Sequence, residues 1–351
     1  MWNTNRVLDE IRRQIAADKT VLDETRERRD LVLGIALQYA GALRTFTSGS
    51  VAHRTVNHPV VDADGGVVLD RRSYPDLGPD SKKKLGPSEI VPAMCQYIKT
   101  EVTKTYYKAG CKTTKRAILT TISEPMVTSE HPDEAQDPSV DLIVALTRAN
   151  SAPGLWIPNL EADCWDASDP EKHTALLNSG SAGLQRTRRR AVRLAKAENG
   201  QHDPPAVSSF NLEALGLAAV KEGMSLAKAL LALWSEGARQ FAVGLTKDPA
   251  DVSAPIKVKD LQLAQRRMQA AATALTEALA QDDDEDAVRE ALSRVFFDFI
   301  SSPVGNNSKA ALADSLRRND GRASVTGLGL GLGPAVAPLK STRAYGATPH
   351  R

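Results

Sequence analysis

Over residues 4–40 apolar positions recur at helical spacing: Val7, Leu8, Ile11 and Ile15 form one stripe, and Leu31, Val32, Ile35 and Tyr39 another. The pattern predicts a helical entry that ends at Gly41. From residue 45 to 70 the period shortens. A small-residue turn at Ser48-Gly49-Ser50 and a short helix lead into the β-rich run Pro59-Val60-Val61 through Val67-Val68-Leu69, which predicts a strand. Residues 71–88 are broken by prolines and glycines and carry Lys82-Lys83-Lys84, so an exposed insertion without regular structure is expected. Helix is predicted again over 89–110, and strands over 117–122 and 139–146, with a polar loop around His131-Pro132-Asp133 between them.

Past residue 175 the helical period dominates. Leu226, Leu230, Leu233, Trp234 and Phe241 make one apolar face, and Leu261, Met268, Leu275 and Leu279 a second. The acidic run 282–286 precedes Val288, Leu292, Val295 and Phe299, where carboxylates suit a helix N-terminus better than a metal. Beyond Asn319 Gly, Ala, Pro and Ser take over, and a flexible tail is expected. The expected architecture is α+β: a mixed-sheet lobe with N-terminal helices over 1–175, an all-helical lobe over 176–319, and a tail over 320–351. No internal repeat of solenoid period is visible.

Composition sets limits on this picture. A chain of 351 residues is long enough for two lobes, each with its own core. Apolar residues at 42% and charged residues at 25% mark a globular chain. The formal net charge of +2 gives no whole-molecule field for long nucleic acids or anionic membranes, so neither is expected as a partner. Cys95, Cys111 and Cys164 are too far apart for a disulfide framework or zinc knuckle and read as reduced thiols. The opening MWNTNRVLDEIRRQ has no apolar h-region, and no later run approaches the ~18 apolar residues of a spanning helix. A cytoplasmic protein is expected.

The chemistry concentrates between Gly49 and Asp64. Positions i and i+2 of a strand share a face, so Asp62 and Asp64 present two carboxylates side by side, a pair that repels itself unless cations neutralise it. Hard oxygen donors suit Mg²⁺ or Mn²⁺, which also bind substrate phosphates. Upstream, backbone N–H groups at the Gly49-Ser50 turn can cradle phosphate oxygens, and Ser50 adds a hydroxyl. A third carboxylate is offered by Asp141 inside the apolar run Val140-Asp141-Leu142-Ile143-Val144, where a lone ionised group is costly unless it binds a cation or faces water.

The run Gly49-Ser50-Val51-Ala52-His53-Arg54-Thr55, then Asp62-Ala63-Asp64, then Val140-Asp141-Leu142 resembles the pattern of the DNA polymerase β-like nucleotidyltransferase superfamily. Leu155-Trp156-Ile157-Pro158, the run 165–173, the run Arg190-Ala191-Val192-Arg193-Leu194-Ala195-Lys196 and Ser208-Ser209-Phe210-Asn211-Leu212-Glu213 resemble its bacterial cyclic-oligonucleotide synthases, relatives of cyclic GMP-AMP synthase and oligoadenylate synthase. The resemblance spans roughly residues 41–217. It implies a nucleotidyltransferase lobe followed by a helical lobe, with Asp62, Asp64 and Asp141 as catalytic metal ligands. Gly49, Ser50, Arg54, Lys196 and Ser209 would contact the donor triphosphate. It also implies two-metal in-line displacement on nucleoside triphosphates, yielding a second messenger of antiviral defence, with a regulatory protein as possible partner of the tail. His53 and Glu198 depart from the residues usual in the family.

Other features are weighed against this reading. The basic run Arg186, Arg188, Arg189, Arg190, Arg193 and Lys196 suits either a phosphate-facing ridge or a solvated helix face. Lysines interleaved with Tyr106 and Tyr107 over 99–116 suit a surface helix and hairpin better than a single-strand-binding platform. His53, His58, His131, His173, His202 and His350 are scattered without a partner cysteine, which argues against zinc. Trp156 and Trp165 read as packing residues. An RNA 3′-end nucleotidyltransferase and an inactive nucleotide-binding scaffold are the alternatives; a strong basic platform would favour the first, and the three carboxylates argue against the second.

Overall fold

The computed structural model describes residues 3–300. In chain order it contains α1 (Asn3–Gln14), α2 (Lys19–Leu37), β1 (Ala42–Ser48), α3 (Gly49–His53), β2 (Asp62–Leu69), α4 (Val91–Val102), β3 (Gly110–Thr113), β4 (Ile118–Thr121), β5 (Ser139–Thr147), β6 (Leu155–Asn159), β7 (Cys164–Ser168), α5 (Pro170–Leu177), α6 (Ala182–Gly200), α7 (Ser209–Ala219), α8 (Leu226–Phe241), α9 (Leu261–Ala280) and α10 (Glu285–Ser293).

The strands form one mixed sheet along the path β1-β2-β5-β4-β3, with β6 added to the end of β5 and β7 to β6. Only β2 and β5 run parallel among the described strand pairs. Helices α2 and α4 cover one face, where Val32, Met94 and Ile98 pack on Val67, Leu142 and Val144. The other face carries a smaller cluster of Phe46, Val68, Ile143 and Ala145 with Leu155 and Ile157 of β6. Helices α6 to α10 form the second core, around the fully buried Leu194, Leu215, Leu233 and Trp234. The α+β architecture expected from the pattern is thus the one observed.

Details differ, each for a local reason. The N-terminal helical run is interrupted because Asp18 caps a new helix, its carboxylate accepting from the Thr20 and Val21 N–H groups at 2.6 and 3.4 Å. The two halves then part company: Val7, Leu8, Ile11 and Ile15 of α1 join the helical core, while α2 lies on the sheet. The helix expected over 89–110 ends at Val102, and Gly110 instead opens the β3–β4 hairpin. Segment 71–88 has no helix or strand before the 3₁₀ turn Pro87–Glu89, and Lys82, Lys83 and Lys84 are exposed, yet Leu77 and Ser81 are buried, so its base belongs to the sheet lobe. Strands β6 and β7 were not anticipated by the apolar pattern. The acidic run acts as a cap: Asp284 accepts from the Asp286 and Ala287 N–H groups, and Asp282 accepts from the Thr4 N–H of α1. The expected tail, 320–351, lies outside the described residues.

Candidate active site

Asp62 sits opposite Ser139 and Asp64 opposite Asp141 in the parallel pair β2–β5. Strand parity fixes where they face. Val140, Leu142 and Val144 enter the helix-covered core, whereas Ile143 and Ala145 enter the smaller cluster with Val68. Alternation therefore puts Asp141 on the Ile143 face and Asp62 and Asp64 on the Val68 face, which is the same face of the sheet. Three carboxylates converge there at one end of two neighbouring strands.

Asp62 and Asp64 are both buried, and Asp141 is half-buried. Burial first, and then the charges of Asp62, Asp141 and Glu213, push the Asp64 carboxyl well above the usual carboxylate range. Its Oδ2 is buried without a hydrogen-bond partner. An oxygen left in that state among like charges is stabilised by a cation, and an all-carboxylate donor set fits Mg²⁺ or Mn²⁺.

The turn before α3 closes over this carboxylate. Gly49 adopts φ +71°, and a Cβ there would stand 1.7 Å from Asp64 Oδ2, so only glycine lets the turn lie so close. Ser50 follows it, half-buried. Arg54 ends the helix in a left-handed conformation, φ 58°, and is exposed. Its charge reaches Arg189 of α6, whose guanidinium is lowered by burial first and by Arg54 second.

The helical lobe contributes from the opposite side. Lys196 of α6 donates to Glu213 Oε1 at 2.7 Å and to Thr55 Oγ1 at 2.9 Å. Glu213 of α7 also accepts from Thr55 Oγ1 at 2.5 Å and pairs through Oε2 with His53 Nδ1 at 2.9 Å, while His53 Nε2 meets Thr174 Oγ1 at 3.0 Å. Burial alone would raise the Glu213 carboxyl, but Lys196 and His53 outweigh it and hold the group far below its ordinary value. Ser209 is buried at the start of the same helix, one turn before Glu213. Lys196 thus stands beside the site already engaged in an ion pair, and its positive charge is felt at Asp64.

The linked set His53, Thr55 and Glu213 carries no role in the sequence reading. A signal existed: Glu213 is a charged residue among the buried positions Leu212, Ala214 and Leu215 of one helix, which requires a partner. The basic run resolves into mostly structural groups. Arg188 is buried, Arg193 binds Asn57 and the Ile15 carbonyl and is lowered to about 10 by burial, and Arg186 alone of the six is exposed. Trp165 is buried and donates to the Leu85 carbonyl, and Trp156 donates to Asp80 beneath Arg148, so both serve packing.

Neither a protein-family model nor a curated protein matches this chain. Solved structures do. The ATP complex of CdnC from E. coli MS115-1 superposes with a TM-score of 0.63 at 14% identity over 86% of this chain and 99% of that one. CdnG, a CD-NTase from Bradyrhizobium diazoefficiens bound to GTP, gives 0.60 at 14% identity over 83% and 95%. The cyclic AMP-GMP synthase DncV of Vibrio cholerae, holding the linear intermediate pppA(3′,5′)pG, gives 0.54 at 12% identity over 85% and 87%. CdnC also superposes in its complex with HORMA-deltaN, at 0.56 and 14% identity over 82% and 94%. The chain therefore has the nucleotidyltransferase fold of the CD-NTases, as the sequence resemblance implied. Among the described residues, no helix is long and apolar enough to cross a membrane.

Proposed function

We propose that this chain is a metal-dependent nucleotidyltransferase that builds a cyclic di- or oligonucleotide from nucleoside triphosphates. The observation that carries the proposal is the convergence of Asp62, Asp64 and Asp141 on one sheet face, facing a lobe that brings Lys196 and Ser209. In this reading Asp62, Asp64 and Asp141 would hold the cations, and Asp141, the most accessible of the three, would adjoin the attacking hydroxyl. Bound there, Mg²⁺ or Mn²⁺ would acidify the ribose hydroxyl and neutralise charge on the leaving pyrophosphate. Gly49 and Ser50 receive triphosphate oxygens from the sheet side, Arg54 adds positive charge at the rim, and Lys196 and Ser209 complete the grip from the helical side. The reaction forms a bond from the hydroxyl oxygen to the α-phosphorus as the bond to pyrophosphate breaks; what the residues supply is positioning and charge neutralisation.

By the same resemblance the product would be a second messenger of bacterial antiviral defence, made in the cytoplasm, with a regulatory protein acting on the tail. CdnC, which shares this fold, forms a complex with HORMA-deltaN, and that supports a protein partner for this chain. Incubation with labelled ATP, GTP, CTP and UTP and a divalent cation, followed by phosphatase, tests the activity: a cyclic product survives phosphatase, and its absence under Mg²⁺ and Mn²⁺ alike contradicts the proposal. Truncation after Asn319 tests the tail, which should be dispensable for synthesis and required for protection of cells.

A further inference from the structure

His58 leads into β2 and His131 lies in the loop that leads into β5, far apart in sequence. In the fold their imidazole rings stack, with centroids 3.7 Å apart and planes 16° from parallel. Glu134 Oε2 lies 2.9 Å from His58 Nε2. The three side chains offer donor atoms all within 4.8 Å of one another. His58 is only 9% exposed, and its Nδ1 is buried without a hydrogen-bond partner.

The scaffold under the cluster is fixed by other contacts. The Gln136 side-chain carbonyl accepts from the Val60 N–H at 2.8 Å, and Met126 and Gln136 exchange backbone hydrogen bonds at 2.9 Å. The buried Arg28 of α2 donates to Asp137, to the Pro138 carbonyl and to the Glu124 carbonyl. The Ile15 carbonyl accepts from the His58 N–H at 3.1 Å. Both ligand-bearing segments are therefore held near each other before any ion arrives.

We propose that His58, His131 and Glu134 form a second metal centre, selective for a zinc-class transition ion, which fastens the approaches to the two aspartate-bearing strands. Two imidazoles and one carboxylate suit zinc, whereas the oxygen-only donors of Asp62, Asp64 and Asp141 suit magnesium, so the two centres sort cations by softness. Ligands on a tetrahedral zinc ion stand roughly 3.3 Å apart, close to the 2.9 Å between His58 Nε2 and Glu134 Oε2, and His131 offers its donor within 4.8 Å of both. The fourth position is left to water. Because the imidazoles must be neutral to ligate, binding weakens in acid.

Cobalt(II) gives intense visible absorption in four-coordinate nitrogen-containing sites and weak absorption in octahedral oxygen sites. Full-length protein stripped with a chelator and titrated with Co²⁺ should develop the intense band, saturating near one ion per chain, and lose it on addition of Zn²⁺. His131→Ala and Glu134→Gln should each weaken binding roughly tenfold or more, and zinc should raise the melting temperature of the native chain but not of His131→Ala. The combined Asp62→Asn and Asp64→Asn change should leave the band intact. A native chain without the band, a band unchanged in His131→Ala and Glu134→Gln, or a band lost with the aspartates would overturn the proposal.

Discussion

Asp64 and Asp141 are direct neighbours across a parallel strand pair, one deeply buried and the other half-buried, with the shielding of one set against the accessibility of the other. Parallel register places them at the same level of the sheet, so neither can leave the other without a shift of the whole strand. Their repulsion is built into the backbone, and in the proposed function a cation would relieve it.

Stability without metal should rise when Asp64 is replaced. The raised carboxyl of Asp64 means that the folded state binds a proton more tightly than the unfolded chain, so this group's contribution is present below the unfolded value of 3.8 and is lost as pH rises through the elevated folded value. Asp64→Asn removes that loss. At neutral pH and in the presence of a chelator the variant should gain on the order of 1 kcal/mol, a few degrees in melting temperature. Added Mg²⁺ should stabilise the native chain and not the variant. Thermal melts with and without Mg²⁺ measure both.

Glu213 behaves in the opposite sense. Its carboxyl is held below the ordinary 4.5 by Lys196 and His53 against the effect of burial, so its contribution is complete above that value and is lost as pH falls below it. Glu213→Gln should take the ion-pair partner from the nearly buried Lys196, at a cost of about 3 kcal/mol, and should flatten the acid limb of the stability profile. Denaturant midpoints measured from neutral to acid pH check the sign.

Asp141→Asn should retain triphosphate binding and lose turnover by a factor of ~100 or more, because its carboxylate is assigned to the nucleophile side. Binding followed by calorimetry, alongside single-turnover chemistry, separates the two. Parallel loss of both would move Asp141 to the triphosphate.

Ser50→Ala and Lys196→Ala should each weaken triphosphate affinity about tenfold, or ~1.4 kcal/mol, with no change in which nucleotides are incorporated. Competition among the four triphosphates reads this directly. A changed preference would place these groups against a base.

The two carboxylate strands and the Gly49-Ser50 turn were legible because each rests on local rules: strand period, the alternation of faces, and small residues at a tight turn. The pairing of Asp64 with Asp141 needed only the inference that their strands are neighbours. The His53–Glu213–Lys196 network was only partly legible: Lys196 stands in the motif and Glu213 is a charge on a buried helix face, but their pairing with His53 joins residues far apart in sequence, which local pattern does not show. His58 and His131 were hidden in the same way, being brought together by loop closure and not by sequence spacing. The missing break between α1 and α2 has a smaller cause: the apolar stripe continues across Ile15, and only the Asp18 cap shows where the second helix begins.

The most direct test of the central assignment is pyrophosphate release from nucleoside triphosphates, comparing the native chain with the Asp62→Asn and Asp64→Asn double variant after circular dichroism has shown both to be folded. Release should require Mg²⁺ or Mn²⁺ in the native chain and fall to background in the variant. A folded variant that releases pyrophosphate at a near-native rate would contradict the assignment of the catalytic centre to these aspartates.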